Sequence, residues 1–443
     1  MEIRTNPIPP GVLSCLLGGL IGLCAFAGYA YDLPAEPHFV DESAYISQSY
    51  FADLFLAGKR DDRLWLEYPA IDLPPLPKYM IGWTLRARGW PRPSPEQAKL
   101  WYRNTHYRPV GDDVLVDARL PSVLCGAMGV VALYALGTMA AGRWAGLLAS
   151  AMLMINPLYR LHARRAMSDV PAEAFLLLTL ALGYWAWVGF RKGRKSAWIG
   201  SMLAGVSAGL AVESKLNGGL GMMVLIAWAQ LGLVLPNSSR KSRFAPMAGT
   251  ALAGLVALGT FVSLNPALTA RPSGPLPSFF QTLSAMGWPA RTWEVVRFRA
   301  TVSAEAKDQF PDDALRTPGA KITAMIAQGF GRFGPAGPPH TDSTLRFDPR
   351  QDRGAWVWTP LVFLGMLGAG WRGYLKVRLG EIPGEWCLLL YALVALITVT
   401  AFIPLAWDRY YLSIQAGNAL MVGVAREALF DTIRARRTGG SPA

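Results

Sequence analysis

Long uncharged runs recur along the chain, and between them the sequence turns abruptly basic or rich in proline and aromatic residues. Residues 11–30, "GVLSCLLGGLIGLCAFAGYA", hold twenty positions without a charge. Similar runs at 120–140, 144–159, 170–190, 197–213, 218–235, 246–264, 356–371, 386–403 and 409–425 bring the expected helices to ten. A bilayer core of about 30 Å asks for roughly 20 apolar residues per helix, and several of these runs fall short of that. The pattern predicts an all-α polytopic membrane protein, with residues 1–443 forming one transmembrane domain.

The connections between the runs assign sides. "RKGRKS" (191–196), "SSRKSR" (238–243), "WRGYLKVR" (371–378) and "RARR" (434–437) are basic, and with ten spans all four share a side with the N-terminus. Basic connections stay cytoplasmic. The opposite side receives two long segments, 31–119 and 265–355, rich in Pro, Trp, Tyr and charge. Within the first, residues 45–57 place Ile46, Tyr50, Phe51, Leu54 and Phe55 on one helical face, the pattern of an interfacial helix, and 95–107 reads as a second. "GFGRFGPAGPPH" (329–340) is too rich in Gly and Pro for regular structure. No internal repeat is visible.

Composition agrees. The chain is 52% hydrophobic and 16% charged, where a soluble domain carries about 25% charged residues. Before the first run, "MEIRTNPIPP" lacks a strongly basic region, and no small-residue cleavage site follows it, so the run reads as a retained helix. The net charge of +13 sits in short loops as a topology signal, which argues against nucleic acid as a partner. Cys15, Cys24, Cys125 and Cys387 all fall inside apolar runs, suited to packing or lipid contact and not to a disulfide framework. The four histidines show no metal-ligand spacing.

Polar clusters concentrate on the non-cytoplasmic side: Asp41 and Glu42, "EYPAIDLPPLPKYMIG" (67–82), "YRLHARRAMSDVPAEAF" (159–175), "ESKLNGG" (213–219) and "WDRYYLSI" (407–414). Charge so close to a span end is costly unless it is paired or reaches water. Asp41 and Glu42 suit the first turn of a helix as favourable charges, or they do chemistry at the membrane surface. Arg164 and Arg165 either snorkel to lipid phosphates or grip a phosphate ligand through the guanidinium fork. Asp169 suits the start of a helix whose first turn takes Pro171. Lys215, followed by Asn217 and two glycines, suits a helix C-terminus. Tyr410 fits an interfacial aromatic belt, whereas Arg409 opens a span with a charge that opposes the helix dipole.

In order, these clusters resemble the motifs of the GT-C superfamily of integral membrane glycosyltransferases, nearest the branch of protein O-mannosyltransferases and the lipid A aminoarabinose transferase. The Asp41–Glu42 pair resembles the family's first-loop motif. "DLPPLPKYMIG" resembles its Pro-Pro-Leu and Lys segment, and "ARRAMSDVPAEAF" its Arg, Met, Asp and Pro motif. "ESKLNG" and "DRYYLSI" are similar to the two later motifs, although Ser413 stands where relatives have proline and Asp72 and Leu73 where they often have His or Lys.

The resemblance implies transfer of a sugar from a polyprenyl-phosphate donor to an acceptor hydroxyl on the non-cytoplasmic face of a bacterial inner membrane, with inversion at the anomeric carbon. It implies Asp41 as base, with Glu42 and Asp169 as further catalytic carboxylates. Arg164, Arg165, Lys215 and Arg409 would bind the donor phosphate, and Tyr68, Asp72, Lys78, Asn217 and Tyr410 the substrates. A metal site stays unassigned, and Mg²⁺ or Mn²⁺ stays open as a cofactor. Expected partners are the lipid-linked donor, an unidentified acceptor and membrane lipids. Two other readings stay open: a secondary transporter, and a non-catalytic lipid-binding scaffold of the same fold.

Overall fold

A computed structural model describes residues 10–104, 106–235, 240–327, 329 and 353–437. Its helices are α1 (Pro10–Ala30), α2 (Val40–Ser47), α3 (Phe51–Leu56), α4 (Tyr68–Asp72), α5 (Pro75–Ala87), α6 (Pro95–Arg103), α7 (Asp112–Ala141), α8 (Arg143–Ile155), α9 (Pro157–Ala163) and α10 (Asp169–Arg191). Then come α11 (Ala197–Ser214), α12 (Leu220–Val234), α13 (Arg240–Leu264), α14 (Ser278–Ala285), α15 (Trp288–Gln309), α16 (Pro318–Ile326), α17 (Arg353–Arg378), α18 (Gly384–Phe402) and α19 (Leu412–Arg437). Each of the ten expected spans falls on helix. Among the described residues, seven helices are long and apolar enough to cross a membrane.

The span expected at 144–159 is two pieces. Pro157 has no N–H for a continuous helix, and the Asn156 side chain accepts the Tyr159 N–H at 2.9 Å to start α9 afresh. The expected loop at 329–340 lies outside the described residues apart from Gly329.

Helices α7 and α10 form the centre, packed against each other, with α11 on α10 and α1 on α7. Small residues permit the tightest crossings. A Cβ added at Gly205 or Gly209 of α11 would lie 2.5 or 2.8 Å from a carbonyl oxygen of α13, so only glycine fits at either position. Helix α1 lies at the edge and exposes Leu16, Leu20 and Leu23, as lipid contact requires.

Chain direction sorts the helix ends. α1, α11, α13 and α18 finish at the end of the bundle where α7, α10, α12 and α19 begin. The basic connections at 191–196 and 371–378 lie at the other end.

The described parts of both long segments are folded. Helices α2 to α6 build the first, and α14 to α16 lie in the second. The apolar face of 45–57 is covered by protein and not left to lipid: Ile46 and Phe51 are buried, and the helix breaks at Gln48–Tyr50 to wrap α5. Phe51 stacks beside Tyr50 and Trp65. α6 stays nearer the surface, with Leu100 exposed.

Candidate active site at the helix ends

Two adjacent carboxylates on α2 point in opposite senses, because successive helical side chains are rotated by about 100°. Glu42 points inward and is completely buried. It accepts from Arg119 Nε and Nη2 at 2.8 Å each, from the Ala166 N–H at 2.8 Å, and from the Phe39 N–H at 2.9 Å as a helix cap. Arg119, near the start of α7, also donates to the carbonyls of Leu33, Glu36 and Pro37. Both Glu42 oxygens are therefore occupied in tying the first external segment to α7 and to the 164–168 turn. Asp41 points outward, is about one third exposed (30%), and pairs with Arg409 Nη1.

Arg409 lies in a 3-10 turn, Asp408–Tyr411, just ahead of α19. Its guanidinium sits 4.4 Å from the Trp407 ring centroid. The turn is fixed by Asp408, whose Oδ1 accepts the Arg409 N–H at 2.6 Å and lies 3.2 Å from His162 Nε2. Burial raises the Asp408 pKa, but His162, Arg165 and Arg409 outweigh it and hold the carboxyl below its ordinary range.

Lys215 leaves the end of α11 in extended backbone, donates to Asp169 Oδ1 at 2.6 Å, and lies 4.9 Å from the Tyr410 ring centroid. Asp169 opens α10, where Ser168 is the capping position and takes the Tyr45 hydroxyl at 2.6 Å. That bond joins α2 to α10. A narrow cleft results, lined by Asp169, Glu173, Asn217, Arg409, Tyr410 and Ser413. Thus Asp41, Asp169, Lys215, Asn217, Arg409 and Tyr410 come together from α2, α10, the 214–219 turn and the 408–411 turn.

The arginine pair does not join them. Arg164 Nη1 donates to the carbonyls of Tyr29 and Tyr31, Nη2 to that of Asp32, and Nε to Glu36. Unpaired carbonyls at the C-terminus of α1 attract such a cation, so Arg164 caps that helix and commits four of its five N–H donors there. Arg165 is buried over the Phe39 ring at 4.3 Å, with Nε 3.7 Å from Glu36. Neither side chain snorkels.

Lys78 is likewise withdrawn. It is fully buried, donates to the Pro69 carbonyl at 2.6 Å and lies over Phe51. Burial, reinforced by Arg299, pulls its pKa well below the usual lysine range. Asp72 accepts the Tyr102 hydroxyl at 2.7 Å, and burial raises its pKa against the pull of Tyr102, Lys78 and Arg299. Tyr68 is the accessible member of this group, edge-on to Tyr102 at 5.0 Å.

Several participants are not among the site residues that the sequence suggests. Arg119 stands one residue ahead of an apolar run, where a charge at a span end is the only hint. Glu173, four residues beyond Asp169 on the same helix face, accepts from Ser413 Oγ at the cleft wall. The i, i+4 spacing is visible in sequence, but not that the cleft lies there. His162 and Asp408 lie 246 residues apart, and no local signal joins them. Among the described residues, no three His, Cys, Asp or Glu side chains gather as a metal ion would need. Asp41 and Asp169 each face a cationic side chain instead.

Residues 70–242 match the family model for dolichyl-phosphate-mannose-protein mannosyltransferase. Comparison of the sequence with curated proteins finds no match. Among solved structures, the chain aligns with the archaeal oligosaccharyltransferase AglB from Archaeoglobus fulgidus in complex with an inhibitory peptide and a dolichol-phosphate. The TM-score is 0.55 at 14% identity, covering 96% of this chain and 51% of that one. The chain has the GT-C fold. The Archaeoglobus fulgidus enzyme in the apo form gives a TM-score of 0.53 at 13% identity, over 95% of this chain and 51% of that one. The chain therefore spans about half the length of those structures. Against the S. cerevisiae Pmt1-Pmt2 complex bound to its sugar donor, the values are 0.44 and 15% identity over 59% of this chain and 34% of that one.

Proposed function

We propose that this protein is a glycosyltransferase that moves a sugar from a polyprenyl-phosphate carrier to an acceptor hydroxyl. The observation that carries the reading is the convergence of one outward-facing carboxylate, Asp41, with Arg409, Lys215 and Asp169 at one end of a membrane helix bundle. Support comes from the GT-C fold and from the matched mannosyltransferase family model, which makes polyprenyl-phosphate mannose the first donor to test.

In the reaction, Asp41 takes the proton of the acceptor hydroxyl as its oxygen attacks the anomeric carbon. The bond from that carbon to the phosphate oxygen breaks, and its electron pair leaves on the phosphate. Lys215 and Arg409 supply positive charge where the leaving phosphate gains negative charge. A base must lie within hydrogen-bonding reach of the proton it removes, so the Asp41–Arg409 pair opens when acceptor and donor enter. Arg409 then turns to the phosphate and Asp41 to the hydroxyl. A single displacement inverts the anomeric centre. Asn217 and Tyr410 line the donor side of the cleft.

The basic connections at the other helix ends assign the site to the non-cytoplasmic face of a plasma membrane. The test is transfer of labelled sugar from a defined polyprenyl-phosphate donor by purified protein. Product with the opposite anomeric configuration supports the reading; no transfer from any polyprenyl-phosphate sugar, with donor binding also absent, overturns it.

A further inference from the structure

A second and larger cavity opens between the two external segments. Its volume is ≈ 710 Å³, within the usual range for ligand sites of about 300–1,000 Å³. One wall comes from residues 63–69 and α6, the other from the proline-rich stretch 275–280. Tyr68 and Phe280 present rings to it, and Pro69, Pro275 and Pro277 add flat apolar surface.

Its charge is lopsided. Arg63, Lys99 and Arg103 line the cavity, against the single carboxylate of Glu67. Glu67 is already matched, 3.9 Å from Arg63 and 3.7 Å from Lys99, and Lys99 also donates to Glu96 at 3.2 Å, which leaves Arg103 as the surplus cation. Arg103 is exposed at the end of α6. Positive charge is thus left over at the mouth, while the walls are mainly apolar.

The cavity wall is tied to the end of α2, the helix that carries Asp41. Tyr102 also lines the cavity, and its hydroxyl donates to Asp72, with Gln48 donating to Tyr102 at 3.1 Å.

We propose that this cavity binds the acceptor, and that the acceptor is an anionic glycan whose sugar rings rest on Tyr68 and Phe280 while its carboxylates or phosphates meet Arg103 and Arg63. The inference rests on Asp41 as the base. Rings and prolines offer flat apolar faces of the kind a pyranose presents, and the guanidinium fork matches oxyanions in bidentate fashion. An uncharged acceptor would leave the surplus cation without use. A phospholipid headgroup needs cations at the bilayer surface, and has no need of aromatic walls drawn from two segments.

The test uses the full chain in nanodiscs of neutral lipid and reads binding by calorimetry, independently of turnover. The probes are hexagalacturonate and, as an uncharged oligosaccharide of the same length, maltohexaose. Hexagalacturonate should bind and maltohexaose should bind at least roughly tenfold more weakly, since a charge-assisted hydrogen bond contributes that much or more. Added salt should weaken the first and spare the second. The double variant Arg63→Glu, Arg103→Glu should lose hexagalacturonate binding by a similar factor, and Tyr68→Ala should weaken both probes. Equal binding of the two probes, no binding of either, or indifference to the double reversal would overturn the proposal. So would displacement of hexagalacturonate by phosphatidylglycerol vesicles, which would assign the cations to lipid. If hexagalacturonate binds as expected but no sugar is transferred, the proposed reaction falls, and with it the acceptor role, while the cavity's preference for an anionic glycan stands. If transfer proceeds without that binding, the converse holds.

Discussion

Glu42 and Arg119 meet at 2.8 Å between α2 and α7, with side chains 0% and 1% exposed. Its other hydrogen bonds among the described residues come from the backbone N–H groups of Phe39 and Ala166. The neighbouring Asp41 owes its outward direction to this anchor. Removing one partner of a buried pair leaves an unmatched charge, at a cost of about 3–5 kcal/mol. Arg119→Ala should therefore lower the melting temperature sharply and reduce folded yield, whereas Asp41→Asn should not. A melting curve of Arg119→Ala that matched the wild type would show that the anchor carries no such weight.

Asp41→Asn keeps the shape of the side chain and removes its basicity. Turnover should fall by roughly 10²–10⁴, with thermal stability near wild type, because the carboxylate is partly exposed and its pair with Arg409 is only one of several contacts made by the 408–411 turn. Single-turnover transfer by purified protein is the measurement. A rate close to wild type would remove Asp41 as the base and make Asp169 the next carboxylate to examine.

The four sequence-implied phosphate ligands should separate into two classes. Lys215→Ala and Arg409→Lys should weaken binding of polyprenyl phosphate, the second because lysine cannot reproduce a guanidinium fork. Arg164→Gln should instead destabilise the fold, by leaving the α1 carbonyls uncapped, and should not change donor affinity in the protein that does fold. Titration of each variant with polyprenyl phosphate, beside its melting curve, distinguishes them.

Burial raises the Asp72 pKa in the folded state. The folded chain then holds a proton more tightly than the unfolded chain, and stability falls as pH rises from about 4, the unfolded value, through the higher folded value. Asp72→Asn should remove that slope. The comparison is the difference in melting temperature between variant and wild type across the acidic range, which should grow in favour of the variant as pH rises and then level off.

Orientation is open to direct labelling. Cysteines placed at Ser94 and Ser273, both exposed on the external segments, should react with membrane-impermeant maleimide in spheroplasts. A cysteine at Lys195, in a basic connection, should react only after permeabilisation. Reversal of this pattern would move the site to the cytoplasmic face.

Much of the frame was legible because apolar runs report burial in lipid directly. Run length and basic connections together gave the spans and the end of the bundle where chemistry gathers. The broken span at 144–159 was harder, since Asn156–Pro157 lies inside an otherwise apolar stretch and reads as a tolerated interruption. At the site, Asp41, Asp169, Lys215 and Arg409 were visible as charges that a span end does not tolerate without partners. Who partners whom was not. Arg164 and Arg165 look alike on paper, and their assignment depends on where α1 ends in space, which no neighbouring residue encodes. Glu42 and Asp41 likewise differ only by one step of helical rotation.

The Asp41–Arg409 contact joins positions 368 residues apart. A ribosome delivers Asp41 to the membrane among the first external residues and Arg409 only after nearly all the other helices have been inserted. Through that interval the carboxylate waits without its counter-charge, and Lys215 and Asp169 arrive in between. Competence is therefore acquired late in biogenesis, with the insertion of α19. Nascent chains arrested before residue 409 would hold most of the bundle in the membrane without this pair, so the proposed site is completed only with α19.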